Sequence, residues 1–414
     1  MEVNGAVLQE LLERMNLLCD NFVDGDGEVA TVPYSLSQLL EIAVTHKSSS
    51  LNINVGSAPA LRINGVLSLV ESAPLSGSDC RKLLSPVLTA HLKSQLVKSG
   101  HAQTCVAGSG TGFKVNLFLE RGNLCASFKR LRIDIPKLET LGLDVAFVEK
   151  ILEQPTGLIL LSGLPRSGKI NTLAALISYL NDTRLMRIVD LERPIQFWHE
   201  NRSSTILQRE IGLDTPSFAS GIKQAMDLDA DVIGISELPD REAAALAIRA
   251  AVSKKLVIAV LDATSSVQSL ERLVSSFSEG ESRRYLPVLS NALRVVIHQT
   301  LVNRNDNRGV IPTFEILANN DPIRAQLKDG KVDQLDRLMR EGNMQTLGKS
   351  LSRLVSIGLV AEDEAKRYVS DPEEIKVNKD PLVAAATAPL TENGQAETSA
   401  DDMDVSDTPL MSWL

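Results

Sequence analysis

Residues 157–180 read GLILLSGLPRSGKINTLAALISYL. Leu158, Ile159, Leu160 and Leu161 are four apolar residues in a row, the pattern of a strand buried on both faces. G-x-x-x-x-G-K follows, from Gly163 to Gly168 and Lys169. Leu173, Leu176, Ile177 and Leu180 then fall at helical spacing. The spacing predicts a strand, a glycine-bounded loop and a helix, with Lys169 where the helix starts. Backbone N–H groups and the positive helix end cradle an anion there, and a lysine adds charge. A P-loop continues with Ser or Thr, whose hydroxyl holds Mg²⁺. Here that position is Ile170, which has no oxygen. The stretch therefore predicts a phosphate scaffold with a disabled metal position.

The rest of the chain bounds what such a scaffold serves. A length of 414 residues suits two or three domains, at about 100–200 residues each. The net charge of -9 argues against a general nucleic-acid binder, which needs a basic face. Cys19, Cys80, Cys105 and Cys125 are widely spaced, which predicts a reducing compartment and no zinc site. The polar start argues against a signal peptide, and no apolar run approaches the ~18–20 residues of a membrane span.

In chain order, residues 1–33 predict a short helix (Leu8, Leu11, Leu12, Met15, Leu18) and a flexible acidic link. Asp24, Asp26 and Glu28 in that link lack the twelve-residue calcium-loop pattern and read as a solvated loop. Residues 34–145 predict an α+β domain with four to six strands and helices on one face. Turn chemistry at Asn64-Gly65 marks one hairpin, and residues 121–123 mark another. Lys114, Arg121, Lys129, Arg130 and Arg132 make the second hairpin basic. Residues 146–302 alternate apolar strands with helices, which predicts a mostly parallel sheet covered on both sides. Residues 303–370 are expected to be helical, and the acidic stretch 371–414 disordered, ending in an apolar cluster with Trp413. His199 and His298 lack a second histidine at metal spacing and read as structural residues.

These segments together resemble the pilus-retraction (PilT-like) ATPases of the type II/type IV secretion ATPase superfamily. SSLNINVGSAPALRINGVL and FKVNLF resemble segments of that family's PAS-like N-terminal domain. The stretch around Lys169 resembles its Walker A segment, LERPIQF its Asp box, DADVIGISELPDREAAALAIRAA its Walker B, and LVIAVLDATSS its His box. PIRAQLKDGKVDQL and MQTLGKSLSRLVSIGLV resemble segments that follow. The resemblance implies an α/β chain, a PAS-like α+β domain followed by a RecA-like P-loop NTPase domain. It implies Glu237 and Glu192 as catalytic carboxylates. Gly163, Arg166, Ser167, Gly168, Lys169, Asn171 and Thr172 become the nucleotide-binding set.

The departures fall on reacting groups. Beyond Ile170, an inner glycine is Arg166, a threonine is Asn171, the Asp-box aspartate is Arg193, and the arginine beside Glu237 is Pro239. Lys255 and Asp262 stand at the His-box histidines. The resemblance then implies ATP as a weak or vestigial ligand, and the sequence leaves Mg²⁺ open. Three functions fit: an accessory subunit beside an active motor, an active ATPase completed by a partner subunit, and a non-enzymatic scaffold of the pilus base. The implied partners are a homo- or hetero-oligomeric ring, hexameric in the family, of pilus motor subunits and an inner-membrane platform protein, with no nucleic acid and no membrane insertion. The implied location is the cytoplasm, peripheral at the inner membrane.

Overall fold

The computed structural model describes residues 33–376, apart from 307 and 343. The expected first helix, the Asp24–Glu28 loop and nearly all of the acidic tail with Trp413 lie outside the described residues.

The first unit holds a six-stranded antiparallel sheet, in order β3-β2-β1-β6-β5-β4. Its strands are β1 (Ser50–Ile53), β2 (Ala60–Ile63), β3 (Val66–Leu69), β4 (His101–Gly108), β5 (Thr111–Glu120) and β6 (Asn123–Arg130). Two-residue turns close three of its hairpins at Asn64-Gly65, Ser109-Gly110 and Arg121-Gly122, all with positive φ. That backbone twist matches the twist of paired strands. Phe113, Val115 and Leu117 alternate along β5 onto one face. There they meet Leu39 of α1 (Leu36–Thr45), Leu84 of α2 (Gly77–Leu84) and Leu96 of α3 (Ala90–Ser99). The helices thus cover one face, as the alternation predicted. β4 was not foreseen, because HAQTCVAG mixes polar and small residues without a clean period.

The second unit holds a seven-stranded sheet, in order β13-β12-β7-β11-β10-β8-β9. Its strands are β7 (Gly157–Gly163), β8 (Arg187–Glu192), β9 (Thr205–Glu210), β10 (Val232–Ile235), β11 (Leu256–Asp262), β12 (Leu293–Asn303) and β13 (Val310–Ala318). All pairs are parallel except β12 with β13. Successive residues of β7 serve opposite faces. Leu158 and Leu160 enter one apolar layer with α6 (Phe218–Asp227) and α7 (Arg241–Val252). Ile159 and Leu161 enter the other, with α4 (Val145–Glu153) and α5 (Lys169–Thr183). This two-sided burial is why the strand reads as an unbroken apolar run. After β11 the chain forms α8 (Ser266–Ser275) and α9 (Glu279–Ala292). After β13 come α10 (Asp321–Lys328), α11 (Leu335–Glu341), α12 (Leu347–Ser356) and α13 (Glu362–Lys366).

Three expected boundaries move. The first unit ends at Ile133 rather than 145, and it takes in Gln196–Trp198. Leu138, Leu141 and Leu143 are buried in the α5-side layer of the second unit, so residues 134–145 belong there. Residues 303–370 are not helical throughout, since β13 pairs along the edge with β12 from Val295 to Asn303. Pro312 in β13 is compatible with a strand because it lies on a sheet edge. Finally, ordered chain continues past Asp371. Ile375 is buried, and Glu374 meets Arg340 at 2.6 Å.

Candidate phosphate site

β7 ends at Gly163 and α5 begins at Lys169, so the loop between them lies at the carboxyl edge of the sheet. Gly163 has no room for a Cβ against the Gln299 carbonyl and the Ser167 side chain, and its φ is +153°. Gly168 caps α5 in the left-handed region, with φ +88°. Arg166 also lies there, at φ 68°, and its side chain is exposed. Ser167 is buried, Asn171 is half-buried and Thr172 is fully buried. Thr172 donates its hydroxyl to Gln299 Oε1 of β12 at 2.6 Å and so ties α5 to the neighbouring strand. Ile170 packs against the apolar layer beneath α5.

Lys169 is the buried cation of the loop, with its side chain 7% exposed. A buried ammonium must have its donors met. Its Nζ donates to the Gly163 carbonyl at 2.8 Å and the Leu164 carbonyl at 2.7 Å. It also meets Asp262 Oδ1 at 3.0 Å, with Ser167 Oγ further off at 3.4 Å. Asp262 is the last residue of β11 and lies in register with Gly163. Behind the loop, His298 of β12 bonds Ser162 Oγ at 3.1 Å. Burial, and then the charge of Lys169, push the His298 imidazole down to about 4.

Glu237 follows β10 and is 47% exposed. Arg193, just past the end of β8, reaches it at 2.8 Å, and the same guanidinium lies over the Phe218 ring. A pair this open contributes only about 0–1 kcal/mol to stability. Its consequence is electrostatic, since it sets a fixed cation against the Glu237 carboxylate. Glu192 is buried at the end of β8 and accepts from Gln208 Nε2 at 3.4 Å. Asp190, two residues back on the same face, hydrogen-bonds Glu192 and Gln208. Burial pushes its carboxyl well above the usual carboxylate range.

The fold thus lines up Gln299, the loop with Lys169, Asp262, Glu237 and Glu192 along one sheet edge. It does not bring Lys255 there. Lys255 precedes β11 and pairs with Asp229 at 3.4 Å, about 23 Å from Asp262 at the ~3.3 Å rise of a strand. Asp262 as the partner of Lys169 and Asp190 as a buried acid were not read from the sequence. The parallel register of β11 on β7 aims the first. An acid alternating with Glu192 inside an apolar strand was the available signal for the second. For Mg²⁺ the residues do not fit a P-loop site, since Ile170 offers a half-buried apolar side chain where a hydroxyl is needed.

A mostly parallel sheet covered on both faces, with a glycine-bounded loop and buried lysine at its carboxyl edge, defines a P-loop fold of α/β class. The model of the family "Type II/IV secretion system protein" matches residues 126–367, and the chain belongs to that family. It is 30% identical over 348 residues to a twitching motility protein of Neisseria gonorrhoeae, covering 83% of this chain and 93% of that one. The type IV pilus retraction ATPase PilT of Pseudomonas aeruginosa is 29% identical, covering 82% of this chain and 99% of its own. The type IV pilus ATPase PilU of the same organism is 29% identical, over 82% and 90%. A crystal structure of the pilus retraction motor PilT with bound ADP superposes with a TM-score of 0.69 at 29% identity. It covers 82% of this chain and 98% of that one. The chain is a homologue of the twitching-motility and pilus-retraction ATPases, with an N-terminal α+β domain and a RecA-like core. Among the described residues, no helix is long and apolar enough to cross a membrane.

Proposed function

We propose that this chain is an accessory subunit of a type IV pilus motor, one that keeps the nucleotide fold but binds ATP weakly and hydrolyses little of it. One observation carries the reading. The cation and the carboxylate that ATP chemistry would use are each spent inside the chain, Lys169 on Asp262 and Glu237 on Arg193. Ile170 adds the loss of a metal-ligating oxygen. Phosphoryl transfer draws on Mg²⁺, a positioned nucleophile and cations for the developing charge. Losing one such contact commonly costs ~10²–10³ in rate. In this reading Gly163, Ser167, Gly168 and Lys169 with the first amides of α5 hold the phosphates. Arg166, Asn171 and Thr172 complete the loop, and Glu237 and Glu192 are the vestigial catalytic acids. The subunit works in an oligomeric ring, hexameric and with active motor subunits, against an inner-membrane platform protein on the cytoplasmic side.

Phosphate release by the purified chain with Mg²⁺ and ATP tests this. Release near background is expected, and Ile170→Ser alone should not restore it, because Lys169 and Glu237 stay engaged. ATP affinity should be weak and change little when Mg²⁺ is chelated. Robust release abolished by Glu237→Gln would overturn the reading and favour an active ATPase completed by a partner.

A further inference from the structure

Lys169 has three N–H donors. Three oxygens take them at 3.0 Å or less: the Gly163 and Leu164 carbonyls and Asp262 Oδ1. The two carbonyls belong to the loop itself and stay wherever the loop stays. The carboxylate is different, because it is an anion placed where an anionic ligand of Lys169 would bind. Its position is built rather than incidental. Asp262 pairs with Gly163 in the parallel ladder, and Ala263 N–H donates to the Gly163 carbonyl at 3.2 Å. Arg272 of α8 holds the Asp262 carbonyl at 2.8 Å. The backbone is therefore anchored on both sides, while the Asp262 side chain is 50% exposed.

We infer that Asp262 is an internal competitor for the phosphate site, a side-chain carboxylate that occupies Lys169 and must be displaced before a phosphate can bind. This deepens the accessory-subunit reading and rests on it for the identity of the site. A phosphate entering the loop gains the ammonium only by breaking the ion pair, and it then faces the displaced carboxylate as a like charge. Both effects weaken every polyphosphate alike, with or without a nucleoside. Asp262 thus sets the affinity of the loop for phosphate as a class and does not discriminate among bases.

Asp262→Asn tests the inference. It keeps the side-chain shape and an acceptor oxygen for Lys169 but removes the charge. Titration calorimetry of the full chain with inorganic tripolyphosphate, and separately with ATP, should show about tenfold tighter binding by the variant, or about 1.4 kcal/mol. The gain should be similar for both ligands and should vanish in Asp262→Asn/Lys169→Ala. Asp262→Ser serves as a second variant if the first does not fold, judged by its thermal midpoint. Equal or weaker binding by folded variants, or no binding by any of them, would overturn the inference. A tighter ATP complex with unchanged tripolyphosphate affinity would overturn it too. Robust hydrolysis by the unmodified chain would overturn the accessory reading while leaving the comparison between variants intact.

Discussion

At the residue scale, Arg166 and His199 are single side chains whose setting has a measurable consequence. Arg166 keeps a left-handed conformation at φ 68° that costs a non-glycine residue about 1–2 kcal/mol. Arg166→Gly removes that strain, and glycine's greater chain entropy takes back roughly 0.5–1 kcal/mol. Urea denaturation should therefore show a variant at least as stable as the parent, and a loss above about 1 kcal/mol would refute the strain. His199 is a second case. It is buried, and neither ring nitrogen has a hydrogen-bond partner among the described residues. Burial first, and then Arg202, push its imidazole down to about 4, with Asp182 opposing. The unfolded chain protonates this ring near 6.5. The folded form does not, so the contribution is full above pH 6.5 and is lost as pH falls toward 4. His298 adds in the same sense, and Asp190, raised by burial, in the opposite one. Thermal midpoints of His199→Phe should fall less steeply between pH 6.5 and 4 than those of the parent. An unchanged slope would show that the ring is hydrated.

At the element scale, the P-loop helix α5 is held from two sides. Its apolar stripe of Leu173, Leu176, Ile177 and Leu180 enters one core layer, as its spacing predicted. Its polar side is fastened to β12 by the buried bond from Thr172 to Gln299. Thr172→Val keeps the volume and leaves the Gln299 oxygen without its donor. A buried polar group stripped of its partner costs about 1–3 kcal/mol. Chemical denaturation should show that loss, and a neutral result would mean that water replaces the hydroxyl. Elements buried on both faces were legible because their strands are unbroken apolar runs. The edge strands β9 and β13 were not. Thr205–Glu210 is half polar, and Val310–Ala318 carries Pro312, so neither has the period that marks a strand in isolation. Pairing with a neighbour settles them, and that is a long-range event.

At the scale of the whole molecule, the chain order and the compact units do not coincide. The polypeptide leaves the first unit at Ile133 and returns to it for Gln196–Trp198. Phe197 is buried there, and Trp198 N–H donates to the Arg132 carbonyl at 2.8 Å. A fragment of residues 33–133 therefore lacks part of its own packing. It should melt below the corresponding transition of the intact chain, and adding a peptide spanning 194–200 should recover part of the difference. A fragment that melts at the parental temperature would show that the returning segment is dispensable. The α/β class, the parallel sheet, the position of the phosphate loop and the missing hydroxyl at residue 170 were all determined by the sequence alone. Those features are set by local spacing and by the chemistry of one residue. Only the tertiary structure decided that Asp262 takes Lys169 and that Arg193 takes Glu237. Each of those facts depends on which strands are neighbours and in what register, and charges 44 to 93 residues apart in sequence meet only once the sheet has assembled.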